Sequence, residues 1–202
     1  MQIDPARLSG GRRYYLMCSV VIPRPIAWVG TVNLDGSHNL APFSFFNAFS
    51  ATPPIVGLGI APHETKPDKD TLANLRRTGE LCISLPTTAL MDAVAESSGD
   101  WPYGVDEFAL AGVTPMPCEK IAAPRVAESP VSLECTVWEI KPLGEGGSTL
   151  VLAEVQLMHI QDTLLNEWGT VDSYRFDALS RLGGISYGAI GEKWDVARGG
   201  AG

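Results

Sequence analysis

The sequence contains no CxxC pair. Its four cysteines, at 18, 82, 118 and 135, stand far apart. That spacing excludes a zinc ribbon or a dithiol motif and suits four reduced, mostly buried thiols. Histidine is scarce: His38, His63 and His159 fall in different elements, and HExxH is absent. No metal site is expected. His38 beside a turn reads as solvated, and His159 near a strand end as packed. The nucleophile elbow GxSxG and the phosphate loop GxxxxGK[ST] are missing, so neither motif supports nucleophilic or P-loop chemistry. Gly57-x-Gly59 lacks a third glycine and a following helix, and reads as strand glycines. No apolar run approaches the roughly 20 residues of a membrane span. The N-terminus carries Asp4, Arg7, Arg12 and Arg13 where a signal peptide would be apolar. A cytoplasmic protein without membrane contact is expected.

Positive charge is also short. Fifteen Lys and Arg face 23 Asp and Glu, a net charge of −8. Such a chain repels nucleic acid at long range, so no nucleic-acid partner is expected. An anionic ligand has to be met by a local reversal of sign.

What is present is punctuation. The chain has 21 Gly and 15 Pro among 202 residues. That favours many short strands and turns in one domain spanning 1–202. Asp4-Pro5 reads as a helix start that Gly10-Gly11 soon ends, with a second turn through Tyr14–Leu16. Strands are expected at 26–33, from about Asn39, and at 55–60, 81–85, 131–140 and 149–160. Asp35-Gly36 and Gly144–Gly147 read as hairpin turns. Helices are expected at 70–78, capped by Asp68 or Asp70 and closed by Gly79, and near 88–97. Residues 99–130 form an irregular excursion with one helical turn near Asp106. The tail after Gly191 is expected to fray. No βαβ alternation appears, which argues against a Rossmann fold and for a closed antiparallel barrel with helices outside.

Three segments could carry chemistry. Residues 39–54 (NLAPFSFFNAFSATPP) interleave small polar groups with aromatics, as a planar amphipathic ligand requires. Read alone, the segment equally suits a strand with one aromatic face. Residues 66–77 (KPDKDTLANLRR) hold four cations against two anions in an otherwise acidic chain. A helix start with a lysine binds phosphate, yet a solvated, well-capped surface helix has the same composition. Residues 181–187 (RLGGISY) set one cation and one aromatic around paired glycines, which suits either close approach of a ligand or a plain turn.

Taken in order, PRPIAWVGTVN (23–33), the 39–54 stretch, KDTLANLRRTGE (69–80), DEFALAGVTP (106–115), SPVSLEC (129–135) and RLGGISY (181–187) resemble the flavin-reductase-like, FMN-binding split-barrel family. The resemblance covers nearly the whole chain. It implies a mainly β fold: a six-stranded antiparallel split β-barrel with flanking helices, dimeric, with FMN rather than FAD bound non-covalently near the dimer interface. Carried over by position, Thr31 lies near the isoalloxazine. Asn39, Ala41, Pro42, Ser44 and Asn47 contact the ring edge and ribityl chain, and Ser50, Lys69, Thr71 and Asn74 serve the phosphate. Arg181 and Tyr187 close over the ring or the nicotinamide. The implied activity is NAD(P)H-dependent flavin reduction, with a monooxygenase or another electron acceptor as partner. The alternative is a flavoredoxin-like FMN electron carrier without nicotinamide activity. No catalytic acid, base or nucleophile is expected.

Overall fold

Seven strands build the main sheet: β1 (Ala27–Val32), β2 (His38–Phe43), β3 (Phe46–Ala51), β4 (Pro54–Ile60), β5 (Glu80–Leu85), β6 (Val131–Pro142) and β7 (Thr149–Ile160). The computed structural model describes residues 1–196 and 199. The strand order is β2-β1-β5-β6-β7-β4-β3, and every pairing is antiparallel. The two edge strands, β2 and β3, follow one another in the chain with only Ser44 and Phe45 between them. That short link draws the edges of the sheet together, and Gly59 N–H donates to the Phe45 carbonyl at 2.7 Å across the join. The sheet therefore curls into a barrel that stays split.

The six-strand expectation is corrected to seven. The stretch 39–54 is two strands, because the chain breaks at Ser44-Phe45 and Phe46–Ala51 returns as the partner of β4. β3 is an edge strand, and five of its six residues are exposed.

β1 is buried on both faces, which explains its unbroken apolar run. Ala27 and Val29 join Val56, Leu58, Leu81, Ile83 and Val151 inside the barrel, closed by Leu72 and Leu75 of helix α2. Trp28 and Ile26 point the other way, into a second cluster with Leu40, Val94, Phe108 and Val126. The Trp28 indole N–H donates to Ser97 Oγ at 2.9 Å, so this large ring enters the core with its polar atom satisfied.

Among the described residues five α-helices flank the sheet: α1 (Gly10–Val20), α2 (Asp70–Thr78), α3 (Met91–Glu96), α4 (Glu107–Ala111) and α5 (Ser173–Phe176). The N-terminal expectation is wrong in one respect. Gly10 and Gly11 open α1 instead of ending a helix, with Ser9 as its N-cap. Two glycines cost about 1 kcal/mol each in a helix. The other end of α1 is held by Arg24, whose Nη1 donates to the carbonyls of Cys18 at 2.6 Å and Val21 at 2.9 Å. The expected helix near 88–97 is a 3₁₀ turn, Thr88–Leu90, followed by α3. The 99–130 excursion contains α4 and a two-residue ladder, Pro115–Met116 with Arg125–Val126. Gly184 stands at φ +60 in the turn between the short strands Ser180–Arg181 and Tyr187–Gly188. Past Gly191 the described residues 192–196 carry no helix or strand, and residues 197, 198 and 200–202 of the tail lie outside the described residues. All four cysteines are free, and burial pushes the Cys135 thiol up to about 12.

Candidate functional site

A cavity of about 340 Å³ opens where β2 meets the start of α2. One wall is Asn39, Ala41, Pro42 and Phe43. A second is Lys66, Lys69, Asp70 and Thr71. The rest comes from Pro62–Glu64, the turn Ser97–Trp101, and Glu107. The two sequence segments that looked most like a ligand site therefore share one cavity.

The helix start is built differently from the expectation. Lys69 occupies the N-cap position with extended backbone, and no side chain caps the first turn. Asp68 pairs with Arg76 at 2.8 Å and Asp70 with Lys66 at 3.0 Å, so neither aspartate is the cap. The first-turn N–H groups of a nine-residue helix are left without side-chain acceptors, and they carry the positive end of its dipole. The local charge is also less basic than composition suggested. The cavity is lined by Lys66 and Lys69 against Glu64, Asp70, Asp100 and Glu107. Lys69 is its one cation with no carboxylate partner among the described residues.

A histidine ties the 62–66 segment to the 97–101 turn. His63 Nδ1 accepts from the Thr65 and Lys66 N–H groups, each at 3.1 Å. Its proton therefore sits on Nε2, which donates to Asp100 Oδ1 at 2.8 Å. That bond first, and then the nearby charges of Lys66 and Lys69, hold the Asp100 carboxyl below the usual carboxylate range.

The remaining residues expected at the site divide. Thr31 and Asn74 lie beneath the cavity, buried, with Asn74 Nδ2 donating to Thr31 Oγ1 at 3.0 Å and to Asn33 Oδ1 at 2.8 Å. Asn39 Nδ2 donates to Thr71 Oγ1 at 3.1 Å, joining the two cavity walls. Ser44 and Asn47 line a second hollow of about 240 Å³ with Met17, Val21, Arg24 and Phe45. Ser50, Arg181 and Tyr187 line neither. Arg181 lies 4.5 Å over the Tyr187 ring and donates to the carbonyls of Gly184 and Ile185. Sequence reasoning missed His63, Glu64, the Ser97–Trp101 turn, Arg24 and Glu107. The only available signals were the length of the 99–130 excursion and the DEF triplet at 106–108.

This arrangement can hold an amphipathic anion: donors at the helix start, apolar surface along Ala41–Phe43, hydroxyls and carboxylates opposite. A family model described as the flavin reductase like domain matches residues 18–176. The chain belongs to this family. Among its relatives is an uncharacterized protein of Halalkalibacterium halodurans, 34% identical over 202 residues, which cover 98% of this chain and 96% of that one. Among solved structures, component B of nitrilotriacetate monooxygenase from Bacillus cereus is similar with a TM-score of 0.92 and 28% identity, over 97% of this chain and 98% of its own. A split-barrel-domain protein of Shewanella frigidimarina superposes with a TM-score of 0.86 at 21% identity, over 98% of this flavin-reductase-like chain and 100% of its own. That likeness shows the fold, a mainly β split barrel with flanking helices.

Proposed function

We propose that this flavin-reductase-like chain binds FMN and reduces flavin with NAD(P)H, acting as one domain over 1–202, as a homodimer, in the cytoplasm. The observation that carries this reading is the meeting of Asn39–Phe43 with Lys69 and the uncapped start of α2 on one cavity. These residues fit a phosphorylated flavin. Lys69, the first-turn N–H groups and Thr71 suit the phosphate, and charge-assisted bonds there are worth about 1.5–3 kcal/mol each. Ala41, Pro42 and Phe43 suit the apolar ring, and Asn39 is oriented by Thr71. Thr31 and Asn74 support the floor from below. Ser44, Asn47, Ser50, Arg181 and Tyr187 are assigned to the open side, where a second copy and the nicotinamide would approach. The exposed edge strand β3, with Phe49 at its surface, supports pairing between copies.

When bound, the flavin would supply the redox chemistry, accepting reducing equivalents from the nicotinamide and handing them to an acceptor. The chain's residues bind, orient and shield it, and none is assigned a proton transfer. The likeness to a monooxygenase component supports an oxygenase as electron acceptor. The test mixes purified protein with FMN and NADH or NADPH and follows nicotinamide absorbance. Oxidation above background with either donor is expected; none with both overturns the reductase reading.

Cavity charge favours a second reading, an FMN electron carrier without nicotinamide activity. With Lys66 paired to Asp70, Lys69 remains for phosphate, and among the described residues the cavity offers no further unpaired cation for a dinucleotide. A yellow protein that is inert to nicotinamides yet reduced by dithionite would select it.

A further inference from the structure

Glu107 opens α4 and is 8% exposed, yet it lines the cavity. A carboxylate buried this deeply is normally paired. Glu107 has no ion-pair partner among the described residues. Its Oε2 accepts from the Leu40 N–H at 3.1 Å. No other residue among the described residues donates a hydrogen bond to its Oε1, and Glu107 lines the cavity.

The strand beside it has the same character. β2 pairs with β1 on one side only, with Leu40 opposite Gly30 and Pro42 opposite Trp28. The Leu40 N–H points away from β1, toward Glu107. Pro42, two residues on, faces the same way and has no N–H to give. The Leu40 donor is taken by Glu107, and the position at Pro42 supplies none. This side of the cavity offers acceptors, while the side at Lys69 and the α2 start offers donors.

We propose that Glu107 is a ligand-recognition residue whose free oxygen accepts hydrogen bonds from the hydroxyl groups of a polyol phosphate, the ribityl arm of a flavin. The ligand class is a phosphomonoester bearing a hydroxylated chain, with phosphate at the donor wall and hydroxyls at the acceptor wall. This rests on the flavin reading above and adds which group reads the chain. Burial, and the charges of Asp70 and Asp106, push the Glu107 carboxyl up, against the Leu40 N–H. The other charged groups facing the cavity are Lys66, Lys69, Glu64 and Asp100. A hydroxyl donated to Oε1 relieves that unpaired charge without adding a second one.

The test measures binding by flavin fluorescence for FMN, riboflavin and lumiflavin, which has a methyl group in place of the ribityl chain. Wild-type protein should bind riboflavin at least about ten-fold more tightly than lumiflavin. Glu107→Gln keeps an acceptor for Leu40 and turns a donor toward the cavity. It should weaken FMN and riboflavin about ten-fold and leave lumiflavin and the melting temperature unchanged. Equal wild-type affinities for riboflavin and lumiflavin overturn the assignment without recourse to any variant. So does a parallel loss of lumiflavin in Glu107→Gln, which would place the ring's own N–H or the fold at this residue. Wild-type protein that binds none of the three overturns the flavin reading, and this inference with it.

Discussion

Asn74 Nδ2 donates at once to Thr31 Oγ1 at 3.0 Å and Asn33 Oδ1 at 2.8 Å, fastening helix α2 to the end of β1 beneath the cavity. Asn33 in turn donates to Ser37 Oγ and the His38 carbonyl, so the same contact reaches the β1–β2 turn. Asn74→Ala leaves two buried acceptors short. It is expected to cost about 2 kcal/mol, read from the midpoint of urea unfolding. Thr31→Val should cost less, since Asn74 keeps Asn33. Equal losses would show that the Asn33 bond contributes nothing.

Lys69 carries the electrostatics of anion binding. Lys69→Met should weaken FMN about ten- to hundred-fold while leaving riboflavin, which has no phosphate, unchanged. Lys66→Met should have a smaller effect, because Asp70 already holds that ammonium. Titrations at two salt concentrations give the check: the salt dependence of FMN binding should flatten in Lys69→Met alone.

Glu134 is fully buried and clamps the 118–122 loop. It accepts from the N–H groups of Glu119 at 2.8 Å and Lys120 at 2.7 Å and meets His159 Nε2 at 2.5 Å. Burial pushes its carboxyl up, but those hydrogen bonds together outweigh it and hold the group below its ordinary value of 4.5. A carboxyl lowered in the folded state contributes stability above the unfolded value, lost as pH falls from there through the folded value. Stability should therefore drop below about pH 4.5, and Glu134→Gln should flatten that part of the profile in calorimetry. At neutral pH, Glu134→Ala should cost about 3 kcal/mol, by leaving both N–H groups and His159 unpartnered.

Gly30 lies where β1 passes the 118–126 loop. A Cβ there would stand 2.1 Å from the Pro124 carbonyl oxygen, a backbone atom that no rotamer change can move. Gly30→Ala is expected to lose at least about 2 kcal/mol, and a soluble variant with an unchanged melting temperature would contradict the packing described here.

Most of the fold was legible locally. The helix Asp70–Thr78 and the strand Thr149–Ile160 follow directly from their periodicity and their glycine stops. β3 was not legible, because Phe46–Ala51 has no alternation of its own and is a strand only through β4. α1 was legible only as one turn through Tyr14–Leu16, because its two opening glycines oppose helix formation locally and the Arg24 side chain that holds its far end arrives from beyond the helix. The cavity followed the same division. Asn39–Phe43 and Lys69–Thr71 stood out by composition. Glu107 and His63 could not, since a lone Glu in a short helix and a lone His in a loop become cavity residues only when β2 and the 97–101 turn close on them.

Acidic charge, the absence of catalytic and metal motifs, and the resemblance running along nearly the whole chain were determined by the sequence alone, because composition and local order need no partner. Which cation remains free, which carboxylate is buried without a counter-charge, and which expected residues share one cavity were decided only by tertiary structure. Each depends on distances between elements far apart in the chain: Lys66 falls to Asp70, Lys69 stays open, and Glu107 meets the edge of β2 across more than sixty residues of sequence.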